Sequence, residues 1–266
     1  VSTIHPAAWF TGAAALVFAL VFGKLGVEHH RNFGTWSYDM GIYDQGFWLV
    51  SRGGQSFMTV RGMEFWGHHL NVIVVAFAPF YWLGAGPSFL YVAQAVGLAV
   101  AAFPVYLIAR DRFAKPWMGL LFATVYLLYA PIQWISWANF HPESLVVAPL
   151  LYAWWFASHR RWRAMFIALV IALSIREDAA LVVIMLGIVL AVMYRPGKGD
   201  HRDRMMALAT FGLGVGWYVI ATRFVIPHFN QGKQPFYIQY FYSNYGTDMP
   251  EIIQTMIRHP NRVISD

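Results

Sequence analysis

The chain has no cysteine. That absence excludes a disulfide framework, a thiolate nucleophile and any cysteine-ligated metal. Charge is scarce as well: 12% of the 266 residues are Asp, Glu, Lys or Arg, against roughly 25% in ordinary soluble domains. So few charges cannot cover a water-facing surface, which makes lipid the main solvent. The first apolar stretch, Ala7 to Gly23, has no basic segment before it and no small-residue cleavage site after it. It therefore reads as a retained span and not as a signal peptide. A net charge of +6 brings nucleic acid to mind. The basic residues, however, sit in short loops between apolar runs, a topology signal, and no nucleic-acid partner is expected.

What is present is apolar and aromatic. Hydrophobic residues make up 58% of the chain and mean hydropathy is +0.47. The 12 Trp and 14 Tyr suit the headgroup zone of a bilayer. Apolar stretches at 6–23, 88–109, 117–138, 144–158, 162–175, 179–194 and 205–226 predict an all-α bundle of about seven spans. A further run, Leu70 to Leu83, contains Pro79 and stops at Gly84-Ala85-Gly86-Pro87. Its 14 residues fit an interfacial or re-entrant helix better than a crossing.

Three short loops carry the basic residues: Arg110, Arg112 and Lys115; Arg160, Arg161 and Arg163; Arg195, Lys198, Arg202 and Arg204. The positive-inside rule makes all three cytoplasmic, which puts the N-terminus inside and 24–87 outside. If 70–83 also crossed, the loop before it would lie inside instead. Acidic residues, which played no part in that choice, then divide unevenly. Of the 13, only Asp111, Asp200 and Asp203 fall inside. Seven of the ten histidines fall outside with the remaining acids. The whole of 1–266 is expected to form one transmembrane domain of the plasma membrane, with a first outer loop at 24–87 and a second outer segment at 227–266. A longer natural chain is expected to continue past Asp266.

Four outer constellations hold the candidate site residues. In Tyr38-Asp39-Met40-Gly41-Ile42-Tyr43-Asp44, the spacing of Met40, Tyr43 and Phe47 predicts a helix on the membrane surface. Asp39 suits its N-cap, and Asp44 follows on the same helix. Next come His68 and His69, which cannot share one face of a helix and so do not make a metal pair by themselves. The third is Asn139-Phe140-His141-Pro142-Glu143-Ser144, where Pro142 and Glu143 suit a helix start and His141 has no such explanation. In the fourth, Arg176, Glu177 and Asp178 interrupt a long apolar region, which marks a functional position by default. Ser174-x-x-Glu177 matches a capping box, and Arg176 beside a helix start suits a phosphate. The aromatic segment Pro235 to Gly246 suits sugar stacking and interface anchoring equally well.

Together YDMGIYDQGFW at 38–48, HHLNVIVVAFAPFY at 68–81, NFHPES at 139–144 and IREDAAL at 175–181 resemble the DUF2079 family of bacterial membrane proteins. That family is grouped with the GT-C glycosyltransferases. The resemblance implies a GT-C-like fold with juxtamembrane helices in the first outer loop and a carboxylate near the start of that loop. It also implies a polyprenyl-phosphate-linked sugar as donor at the extracytoplasmic face. On that reading Asp39 or Asp44 is the general base. Tyr38, His68, His69, His141, Glu143, Arg176, Glu177 and Asp178 bind substrate, and the partners are membrane lipids and a cell-envelope glycan or protein acceptor. A divalent metal between acidic residues stays open, although no ligand spacing demands one. A transporter or lipid flippase, with charges lining a polar path, is the alternative; a non-catalytic membrane subunit is the third.

Overall fold

A computed structural model describes residues 4–232 and 236–265 of the chain. Helix α1 (Pro6–Arg31) is followed by α2 (Ser37–Ser51), the short antiparallel pair β1 (Phe57–Met58) and β2 (Met63–Glu64), α3 (Phe65–His68) and α4 (Val74–Trp82). Then come α5 (Pro87–Val100), α6 (Ala102–Phe113), α7 (Pro116–Leu128) and α8 (Ala130–Trp137). A 3-10 turn over Pro142–Val146 leads into α9 (Val147–Ser158), α10 (Trp162–Ile175), α11 (Ala179–Met193) and α12 (His201–Val219). A π-helical stretch, Ile220–Val225, runs into α13 (Ile226–Phe229). The short helices α14 (Phe236–Phe241), α15 (Met249–Arg258) and α16 (Pro260–Ser265) close the described chain. Pro235 and Asp266 lie outside the described residues.

The expected all-α membrane bundle is what forms, and its surface says why. Leu16, Leu20, Leu121, Ile167, Met185 and Leu208 are all more than half exposed on their helices. An apolar surface of that extent is stable only against lipid. Three helical stretches are long and apolar enough to cross a membrane: Pro6–Arg31, Pro87–Phe113 and His201–Phe229. Pro116–Leu128 and Ala130–Trp137 make a fourth if counted together. That segment, expected as one span, bends by 51°. Pro131 removes an N–H and its ring collides with the carbonyl of Leu127, so the helix breaks at Tyr129. Pro104 acts on Val100 in the same way and explains the milder break at Ala101. Helices α10 and α11 have 14 and 15 residues. At 1.5 Å per residue each spans only about 21–23 Å, short of the ~30 Å hydrocarbon core. Helix α4 has 9 residues and packs on α2.

Contacts between the connectors sort the chain into two ends. At one end the Trp36 N–H donates to Asn139 Oδ1 at 3.0 Å, and the Ile73 N–H donates to the Ser174 carbonyl at 2.7 Å. At the other end the His5 ring meets Trp117 at 5.5 Å, and Trp155 Nε1 donates to Asp111 Oδ2 at 2.7 Å. There too Arg160 pairs with Asp203 at 2.9 Å. The three basic loops thus share one end, and the four motif segments share the opposite one. The arrangement needs close helix contact at Gly187, where an added Cβ would stand 2.5 Å from the Phe211 backbone nitrogen.

Candidate functional site

The four motif segments, together with Arg61 and with Tyr240 and Phe241 of α14, line one cavity of about 410 Å³ at the motif-bearing end. Tyr38, Asp39 and Tyr43 come from α2; His68 and His69 from the end of α3; His141 and Glu143 from the segment around the 3-10 turn; and Arg176 from the α10–α11 turn. These include seven of the residues expected from sequence. Asp44, Glu177 and Asp178 are not among the lining residues.

Helix α2 starts three residues earlier than a cap at Asp39 would require. Its N-cap is Trp36, without a side-chain cap bond, and Asp39 lies in the first turn. There the carboxylate faces the positive end of the helix dipole and accepts from Asn139 Nδ2 at 3.4 Å. Asn139 therefore holds both the start of α2, through the Trp36 N–H, and the Asp39 side chain. Five residues on, Asp44 faces another way, as the 100° helical step demands. Its Oδ1 accepts from the Tyr81 hydroxyl at 2.9 Å. Burial raises the Asp44 carboxyl above its usual range, against the lowering effect of that hydrogen bond.

Arg176 is the central cation, with a side chain 16% exposed. Its Nη1 pairs with Glu143 and its Nε lies 3.1 Å from Asp178 Oδ2. Beside it Tyr43 stays neutral: burial pushes its hydroxyl up to about 12, although Arg176 acts to lower it. Ser174 is not the cap of a following helix, as its spacing to Glu177 suggested. It lies in the last turn of α10 and donates to the Ile171 carbonyl, while α11 starts at Ala179 behind Asp178.

Glu177 turns inward instead. His69 Nδ1 donates to its Oε1 at 2.7 Å, and the Leu70 N–H donates to its Oε2 at 3.0 Å. Both side chains are almost fully buried, at 3% and 1% exposed. Asn71 Nδ2 adds a bond to the Ile175 carbonyl at 2.6 Å. Glu177 is thus the tether that holds the histidine segment against the α10–α11 turn. The two histidines do come together, with ring centroids 4.4 Å apart. Helical geometry does not separate them, because α3 ends at His68 and His69 is extended. Among the described residues no group of three or more His, Asp or Glu is placed to hold a metal ion.

Burial, aided by the charges of His69, Arg61 and Arg176, lowers the His68 imidazole to about 2 from 6.5. The unfolded chain therefore binds up to one more proton than the folded chain between those values, and stability falls as pH falls through that window. Between about pH 6.5 and 5 this costs about 2 kcal/mol. Denaturation in detergent at the two pH values reads it, and His68→Gln should remove most of the difference. An equal loss in the variant would assign the effect elsewhere.

Sequence reasoning missed Asn139, Tyr43 and Arg61 as members of the site. Arg61 lines the cavity and its Nη1 donates to the Tyr38 hydroxyl at 3.2 Å. Asn139 stood inside a motif, but its role depends on a partner a hundred residues away. Tyr43 reads as part of an apolar stripe, and Arg61 has no local pattern around it.

No curated protein matches the chain, and no solved structure does either. A family model described as a predicted membrane protein, DUF2079, matches residues 29–266, a stretch that holds every residue of the cavity. The chain therefore belongs to the DUF2079 family of membrane proteins.

Proposed function

We propose that the chain is a membrane glycosyltransferase of GT-C type that uses a sugar linked to a lipid phosphate, at the extracytoplasmic face of the plasma membrane. The observation that carries this reading is one cavity lined by both the Asp39 carboxylate and the partly buried Arg176 cation. Asp39 acts as general base. It takes the proton from an acceptor hydroxyl as that oxygen bonds to the anomeric carbon, and the bond from that carbon to the phosphate oxygen breaks with its electron pair leaving on the lipid phosphate. The transition state has oxocarbenium character. Arg176, with Arg61 and the histidines nearby, stabilises the negative charge that grows on the leaving phosphate. The short reach of α10 and α11 supports a lipid substrate, because their connecting turn then lies below headgroup level, where a lipid phosphate can meet it. The orientation rests on the basic loops gathering at the far end.

Dodecyl phosphate tests the phosphate role directly. The chain in nanodiscs should bind it, and Arg176→Gln should weaken binding at least about tenfold, as expected for a lost charge-assisted contact. Binding that ignores Arg176→Gln would overturn the reading.

A further inference from the structure

Asp39 and His141 line a second cavity as well, also of about 410 Å³. Its wall is aromatic, with Trp36, Trp134 and Trp137 alongside His29 and Asn139. Trp36 is held in place by its backbone bond to Asn139, yet its indole is exposed, at 75% for the residue. Trp137 stands edge-on to His29 at 5.0 Å and to Trp134 at 5.6 Å. The two compartments differ in their cations, although Glu143 and Asp39 also line the first. The lining of the first includes Arg61 and Arg176; that of the second includes no Arg or Lys.

We propose that this second cavity is the acceptor site and that its ligand is a neutral carbohydrate. Indole faces and edges provide the apolar surface on which the C–H face of a pyranose ring packs. A carboxylate and an imidazole on the shared wall provide acceptors for its hydroxyls. The absence of a lysine or arginine in the lining leaves an anionic ligand uncompensated there, so the phosphate belongs in the first compartment. Interface anchoring alone accounts less well for the arrangement, because Trp36 comes from the connector before α2 and converges with two tryptophans of α8 on one carboxylate. Asp39 lines both cavities while Arg176 lines only the first, so a hydroxyl bound in the second cavity and a phosphate bound in the first share one base. Carbohydrate binding does not depend on the transferase reading; the acceptor role rests on it.

Saturation-transfer NMR on the full chain in nanodiscs tests the proposal, with maltose and N,N'-diacetylchitobiose as neutral probes and dodecyl phosphate as the anionic one. At least one disaccharide should show saturation of its ring C–H protons. Trp36→Ala should weaken it about tenfold, and Trp36→Phe should weaken it less. Trp36 is the variant of choice because its side chain is exposed and its backbone bond survives substitution. Arg176→Gln should leave disaccharide binding intact while it weakens dodecyl phosphate. Failure of both disaccharides to bind, or binding indifferent to Trp36→Ala, with dodecyl phosphate still dependent on Arg176, would overturn the acceptor site alone. Dodecyl phosphate binding independent of Arg176 would instead overturn the transferase reading.

Discussion

Replacement of Glu177 by alanine is expected to destabilise the chain by about 3–5 kcal/mol, the range for breaking a buried ion pair and leaving its partners behind. The side chain accepts from His69 Nδ1 and from the Leu70 N–H, at a place sealed from solvent. Alanine would leave both donors buried without an acceptor. The loss reaches further than two bonds, because this tether fixes the histidine segment on the α10–α11 turn and so shapes the first cavity. Glu177→Gln should cost less, since its amide oxygen can still accept from Leu70. Denaturation of the two variants in bicelles reads the difference. If Glu177→Ala unfolds at the same denaturant concentration as the parent chain, the tether has no structural weight.

The second large effect falls on activity. Asp39→Asn should lower sugar transfer by about 10²–10⁴-fold, the usual contribution of a positioned general base. The amide keeps the size of the carboxylate, and its oxygen can still accept from Asn139 Nδ2. Folding should therefore survive, and unchanged thermal unfolding in detergent would show that the loss is chemical. Asp44→Asn separates the two carboxylates of α2. Its amide oxygen can still accept from the Tyr81 hydroxyl, so folding should survive there too and sugar transfer should change little. A rate loss confined to Asp44→Asn would move the base to that residue.

Local physics made the membrane bundle legible. Scarce charge, apolar stretches and basic short loops identified lipid as solvent, and each apolar stretch is helical in the fold. The four motif segments were legible for the same reason: a polar residue at the edge of an apolar run stands out against it. Helix boundaries were less so. Asp39 and Ser174 both matched cap patterns, but neither caps. A cap pattern records what a side chain can do locally, and tertiary partners decide whether it does so.

By itself the sequence determined that this is an all-α membrane protein, and that most of its histidines and carboxylates sit on the side away from the basic loops. Both follow from solvation, since burying charge in lipid costs too much to occur at random. Only the tertiary structure decided which of those residues meet. It brought Asp39, His141 and Arg176 to one cavity, turned Asp44 towards Tyr81, and buried Glu177 against His69. Those outcomes depend on contacts as much as a hundred residues apart in the chain. A helical step of 100° separates two carboxylates of one helix, while packing joins groups that sequence distance keeps apart.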